Sequence, residues 1–166
     1  QVFQNMTVLE NVMVGLHAKS KSEFISSLFH LPGFKSEEYA IETRAWQVLE
    51  FLGLDKKANQ MAASLSFGDQ KRIEMARALA PNPRLILLDE PAAGLNMTET
   101  AEVAQLIKVI RDQGISVLLV EHDMNLVMGI SDKVIVLNYG RKIAEGNPQE
   151  IQTNGDVVAA YLGRAE

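Results

Sequence analysis

The run Leu85-Ile86-Leu87-Leu88 stops at two carboxylates, Asp89 and Glu90. If the run is a buried strand, both acids arrive at its C-terminal edge, where open α/β sheets bind ligands. One carboxylate there can hold Mg²⁺ through water, and its neighbour can polarise an attacking water. Acidic residues that merely end a strand and meet solvent would read the same way. A second stretch, Leu65-Ser66-Phe67-Gly68-Asp69-Gln70, leads into an expected helix over 71–80. Ser66 offers a hydroxyl, and Gly68 lets a ligand approach the backbone with no Cβ in the way. A helix N-terminus at this point favours an anion such as phosphate. A plain serine-capped helix would need the same residues. The third stretch is Val120-Glu121-His122-Asp123-Met124. His122 shares the edge of Asp89 and Glu90 if the two strands are neighbours. A single histidine is as readily structural, and His17 and His30 read as surface or packing residues.

The elements that must position these groups fall into two parts. Thr7-Val8-Leu9-Glu10 has the form of a capping box, followed by Val8, Val12 and Leu16 at helical spacing to about His17. Residues 19–36 read as a connection with one short helix. Ile41, Ala45, Val48, Leu49 and Leu52 then trace one face of a helix ending at Gly53. Beyond residue 80 short apolar strands are expected over 84–88 and 115–121, and further strands over 133–137 and 141–145. Helices are expected over 98–113 and 125–130, with a turn at Asn138-Tyr139-Gly140. Asn147, Pro148 and Glu150 read as cap, first-turn proline and box glutamate of a terminal helix. Strands without alternation, separated by helices, indicate a parallel sheet buried on both faces.

The bulk properties exclude several classes. The chain has 166 residues, 47% of them hydrophobic, enough for a real core. A net charge of -5 argues against non-specific nucleic-acid binding, which needs Lys and Arg on phosphates. There is no cysteine, hence no disulfide framework and no thiolate metal site. No apolar run approaches the roughly 20 residues that span a bilayer.

In order and spacing, the three stretches together resemble the ABC-transporter ATPases. Residues 65–70 resemble the signature motif and residues 85–90 resemble Walker B. Ala92-Ala93-Gly94-Leu95-Asn96 looks like the D-loop, and His122 like the switch histidine. In detail the chain is similar to the ATPases of branched-chain amino acid importers. The resemblance lies in Met6-Thr7-Val8-Leu9-Glu10-Asn11, Phe67-Gly68-Asp69-Gln70, Pro91-Ala92-Ala93-Gly94-Leu95-Asn96, Glu121-His122-Asp123-Met124 and Ala160-Tyr161-Leu162-Gly163. It implies an α/β P-loop NTPase fold, with a helical subdomain over 1–80 and the C-terminal part of a RecA-like parallel sheet over 81–166. It also implies ATP and Mg²⁺, with Asp89 holding the metal through water, Glu90 as general base and His122 at the γ-phosphate. Ser66, Phe67, Gly68, Asp69, Gln70 and Asn96 would face a nucleotide held by a second ATPase subunit, paired head to tail. Transmembrane permease subunits are the implied partners. The implied location is the cytoplasmic face of the cell membrane, where the ATPase is peripheral and binds no nucleic acid.

Three departures from the family pattern stand out. The phosphate loop Gly-x-x-x-x-Gly-Lys-Ser/Thr does not occur in these 166 residues, nor does an upstream aromatic to stack on adenine. Gln1 and Gln4 stand too close to Met6 to match the family's Q-loop glutamine. The chain opens Gln1-Val2-Phe3-Gln4, without an initiator methionine, and reads as the C-terminal two-thirds of a longer protein. As such it is expected to be inactive alone and to expose sheet edge and apolar surface. Phe67 and Asp69 stand where many relatives have glycine, and Asn96 where many have aspartate; both variants fit the amino-acid-importer branch. Three rivals stay open, namely the ATPase of a lipid or polysaccharide exporter, a non-transport ABC protein, and a non-catalytic dimerisation fragment.

Overall fold

The structure, a computed structural model, describes residues 2–17 and 34–162. The short helix expected within 19–36 falls largely outside these residues. Helix α1 (Val8–His17) begins at the expected box. The Thr7 amide donates to Glu10 Oε2 at 2.7 Å, and the Glu10 amide donates to Thr7 Oγ1 at 3.2 Å. These contacts, the Thr7 amide first and its hydroxyl second, hold the Glu10 carboxyl below its ordinary pKa. Asn11 is fully buried on the same helix. Its amide donates to the Thr7 and Phe3 carbonyls, and its oxygen accepts from the Phe3 amide, so the preceding segment folds back onto α1.

Helix α2 (Phe34–Phe51) buries the expected face, Ile41, Ala45, Val48 and Leu49, with Leu52 just beyond its end. Gly53 takes φ +68°, the left-handed conformation that ends helices at low cost. Helix α3 (Phe67–Leu79) starts four residues earlier than the expected 71. Ser66 accepts from the Asp69 amide, so Phe67 to Gln70 become the first turn of the helix rather than a loop before it. Helices α2 and α3 both pack on α1.

Strand β1 (Leu85–Asp89) pairs in parallel with β2 (Ser116–Val120), Leu85 opposite Ser116 and Asp89 opposite Val120. Helix α4 (Met97–Asp112) forms the crossover between them. One core joins these elements to the helical part. It holds Val8, Leu49, Ile73 and Met75 together with Ile86, Leu88, Val103, Ile107 and Ile110, and so draws on both sides of residue 80.

Two expectations about the sheet change. The strands were expected to be buried on both faces, but β1 alternates. Ile86 and Leu88 point into the core, while Leu85, Leu87, Leu118 and Val120 are more than half exposed. Among the described residues the core covers only one face of this pair. The second pair is antiparallel and forms a separate two-stranded sheet, β3 (Val134–Asn138) and β4 (Arg141–Gly146). Their two-residue turn, Tyr139-Gly140, has positive φ at both positions (46° and 74°), which suits the twist of a hairpin.

Helix α5 (Met124–Ile130) lies between β2 and β3. Its Met124, Val127 and Met128 pack against a smaller core of Val134, Val136, Ala144, Ile151 and Val157. The terminal helix divides. Its expected cap is present, since Asn147 and Glu150 form the capping box of α6 (Pro148–Gln152). A second cap at Asn154 then restarts the chain as a single turn, Gly155–Val157, followed by a wider turn over Val158–Leu162. No helix of the described residues is long and apolar enough to cross a membrane.

Candidate functional site

The parallel pairing of β1 and β2 brings the expected acids and histidine to one edge. The last rung of the ladder is the Glu90 amide donating to the Val120 carbonyl at 2.9 Å. Glu90 itself has φ +45°, a left-handed conformation uncommon for any residue but glycine. The backbone turns sharply there and is closed by the Ala93 amide, which donates to the Glu90 carbonyl at 3.2 Å. Lys71 Nζ, on α3, donates to the same carbonyl at 3.4 Å. His122 Nδ1 lies 3.3 Å from Glu90 Oε1, with 72% of the imidazole and 53% of the carboxylate exposed. Asp89 is exposed beside them. The edge thus presents two accessible carboxylates and an imidazole to one region of solvent.

A fourth residue at this edge escaped sequence reasoning. The Glu121 side chain is 1% exposed, and its carboxylate accepts from the Ala92 amide at 2.9 Å and from the His122 amide at 3.1 Å. Its signal was an acidic residue closing an apolar strand, the same signal that singled out Asp89 and Glu90. Asp123 is also occupied, capping α5 through the Asn125 and Leu126 amides.

The stretch 65–70 is built for shape as well as for contact. Ser66 Oγ is exposed; it accepts from the Asp69 amide and donates to Asp69 Oδ2 at 3.0 Å. Asp69 Oδ2 also meets Lys57 Nζ at 2.5 Å, so its charge is matched within the chain and its side chain is only 13% exposed. Gln70 Nε2 donates to the Leu65 carbonyl at 3.1 Å. The close approach that Gly68 permits is to this chain and not to open space. A Cβ there would stand 3.1 Å from Glu99 Oε1. Phe67 is half exposed, its ring lies against Gly94, and Lys71 Nζ stands 5.6 Å from the ring centroid. Asn96 is the N-cap of α4. Its oxygen accepts from the Thr98 and Glu99 amides, and Glu99 answers at the Asn96 amide, a complete capping box. The stretches 65–70 and 92–96 therefore touch through Phe67 and Gly94, and Gly68 faces Glu99 in the first turn of α4.

For a metal, no group of three or more His, Cys, Asp or Glu converges among the described residues. Mg²⁺ keeps several waters and takes one or two carboxylates plus phosphate oxygens. Asp89 at the strand edge is a donor of that kind.

Sequence comparison matches residues 1–93 to the family described as "ABC transporter". Residues 141–166 match "Branched-chain amino acid ATP-binding cassette transporter". The chain is 45% identical, over 99% of its length, to the high-affinity branched-chain amino acid transport ATP-binding protein LivG of Escherichia coli. It is 43% identical over the same share to the protein BraF of Pseudomonas aeruginosa, which carries the same description. It spans 65% of the length of each. The ADP conformation of MJ1267, an ATP-binding cassette of an ABC transporter, superposes with a TM-score of 0.79 at 32% identity. That match covers 97% of this chain and 64% of the other. With the family pattern running over more than half its residues and the cassette fold over nearly all of them, the chain belongs to the ABC transporter family, as part of an ATP-binding cassette.

Proposed function

We propose that the complete protein containing this chain hydrolyses ATP to drive uptake of branched-chain amino acids across a membrane. The observation that carries the hydrolytic part is the Glu90–His122 pair, 3.3 Å apart at the C-terminal edge of adjacent parallel strands. Identity of 43–45% to two proteins named for branched-chain amino acid transport, with the match over 141–166, supports the cargo.

The setting of each residue supports its role in this reading. Glu90 is exposed, close to an imidazole and fixed by its backbone, so it is placed to take a proton from an attacking water. His122 lies beside it with a free ring edge and holds the terminal phosphate oxygens. Asp89 would hold Mg²⁺ through water, and that ion, when bound, supplies positive charge between the phosphates. Catalysis of this kind is mostly positioning and charge stabilisation. Residues 66–70 and Asn96 close over the nucleotide of a second ATPase subunit, paired head to tail. Within that surface Ser66, Phe67 and Asn96 are the exposed groups, while Gly68, Asp69 and Gln70 hold its backbone in shape. The helical segment before residue 65 contacts transmembrane permease subunits, and 81–166 carries the hydrolytic edge. The subunit is peripheral on the cytoplasmic face of the membrane. The 166 residues alone contain no phosphate loop and bind Mg-ATP more weakly than millimolar, which calorimetry checks.

The decisive experiment is Glu90→Gln in the full-length protein. ATP binding by calorimetry stays, and turnover falls by about 10²- to 10⁴-fold, the usual contribution of a general base. Wild-type turnover in that variant removes Glu90 from the role of base, and a full-length wild-type protein that turns over no ATP overturns the hydrolytic reading.

A further inference from the structure

The parallel ladder between β1 and β2 ends at the Glu90 amide on the Val120 carbonyl, after which the two backbones part. One side chain spans the gap. Glu121 Oε1 accepts from the Ala92 amide, two residues past Glu90, at 2.9 Å. Glu121 Oε2 accepts from the His122 amide at 3.1 Å and stands 4.0 Å from His122 Nδ1. The carboxylate is almost wholly buried, and Ala92 is buried too. A buried carboxylate is retained where amide donors pair it, and such charge-assisted bonds are the strong ones. Here the donors come from two different loops, one carrying Glu90 and the other carrying His122. The imidazole and the carboxylate are both exposed, so their 3.3 Å separation depends on how those loops are held.

We propose that Glu121 is a positioning residue, a carboxylate clamp that extends the ladder by one side-chain rung and sets the register of Glu90 against His122. It touches no nucleotide and acts only through the two loops. This rests on the roles assigned to Glu90 and His122 above.

The test uses the full-length protein with Glu121→Ala and Glu121→Gln. Misplacing a reacting group by about 1 Å costs roughly 100-fold in rate, so Glu121→Ala lowers kcat by about that factor. KM for ATP moves little, because the clamp does not touch the nucleotide. Glu121→Gln keeps one carbonyl acceptor and recovers a large part of the loss. Amide hydrogen exchange at Ala92 and His122 accelerates in Glu121→Ala and less so in Glu121→Gln. Wild-type kcat in Glu121→Ala overturns the proposal, and so does a loss of kcat with unchanged exchange at both amides. If Glu121→Ala does not fold, the Glu121→Gln variant decides by the same two readouts. A wild-type protein without ATP turnover, whose two amides nonetheless exchange faster in the variants, retains the clamp and refutes the hydrolytic reading instead.

Discussion

Glu90 should be worth more to the protein's chemistry than to its stability, and replacement by glycine separates the two. Its φ of +45° places it where a side chain crowds the backbone, a cost of about 1–2 kcal/mol for a non-glycine residue. Glycine removes that cost but loses about 0.5–1 kcal/mol more chain entropy on folding. The exposed Glu90–His122 contact, worth about 0–1 kcal/mol at most, is lost as well. Glutamine loses the charge in that contact but keeps the strained backbone, so it is the proper reference. Between the two variants the contact term cancels, and Glu90→Gly should be more stable than Glu90→Gln by about 0.7 kcal/mol, within a range of about 0–1.5. Urea unfolding of the full-length protein measures this as a shift in midpoint at unchanged slope. Tyr139 supplies the control, since its φ is +46° and its side chain is 99% exposed, with no packing to lose. Tyr139→Asn at that hairpin turn should stabilise by a similar amount. A Glu90→Gly protein less stable than Glu90→Gln, beside a stabilised Tyr139→Asn, would refute the view that the backbone at Glu90 stores strain. It would mean that its hydrogen bonds to Val120 and Ala93 already offset the conformation.

Two further predictions concern local structure. Asn96→Ala removes the cap of α4 and should cost about 1 kcal/mol, within a range of about 0.5–2, by the same unfolding assay. Because Glu99 also packs against Gly68, that loss should reach the 65–70 stretch and speed exchange of the Asp69 amide. Glu145 is held at about 2, from an ordinary 4.5, by hydrogen bonds first from Lys133 and then from Lys142. A depressed folded pKa means that the contribution is complete above pH 4.5 and is lost as the pH falls from there towards 2. Carboxyl titration by NMR should therefore show a midpoint near 2, returning towards 4.5 in the Lys133→Ala, Lys142→Ala double variant.

The local features were legible because they depend on residues three or four apart. Thr7 with Glu10 and Asn147 with Glu150 announce helix starts through hydrogen bonds that the sequence alone places within reach. Asn96 with Glu99 carries the same signal, which its D-loop reading obscured. The buried face of α2 follows from spacing, and the hairpin turn follows from Asn138-Tyr139-Gly140 between two strand-length segments. The start of α3 was misplaced because Phe67-Gly68-Asp69-Gln70 has no strong helix pattern, and the Ser66 cap decided it.

The candidate chemical groups and the short strands and helices could be read directly from the chain, because those properties live in composition and near spacing. The pairing of β1 with β2 came from the folded core, since 26 residues (90–115) separate Asp89 from Ser116 in the chain. Short apolar strands carry no label for their partner; packing against a shared core makes that choice. The same choice brought Glu90 within 3.3 Å of His122, buried Glu121 between their loops, and turned Gly68 towards Glu99. It also left Leu85, Leu87, Leu118 and Val120 on an open face, since the described helices bury only one side of the pair. None of these contacts is written in near spacing, because each joins residues from segments that meet only once the core has formed.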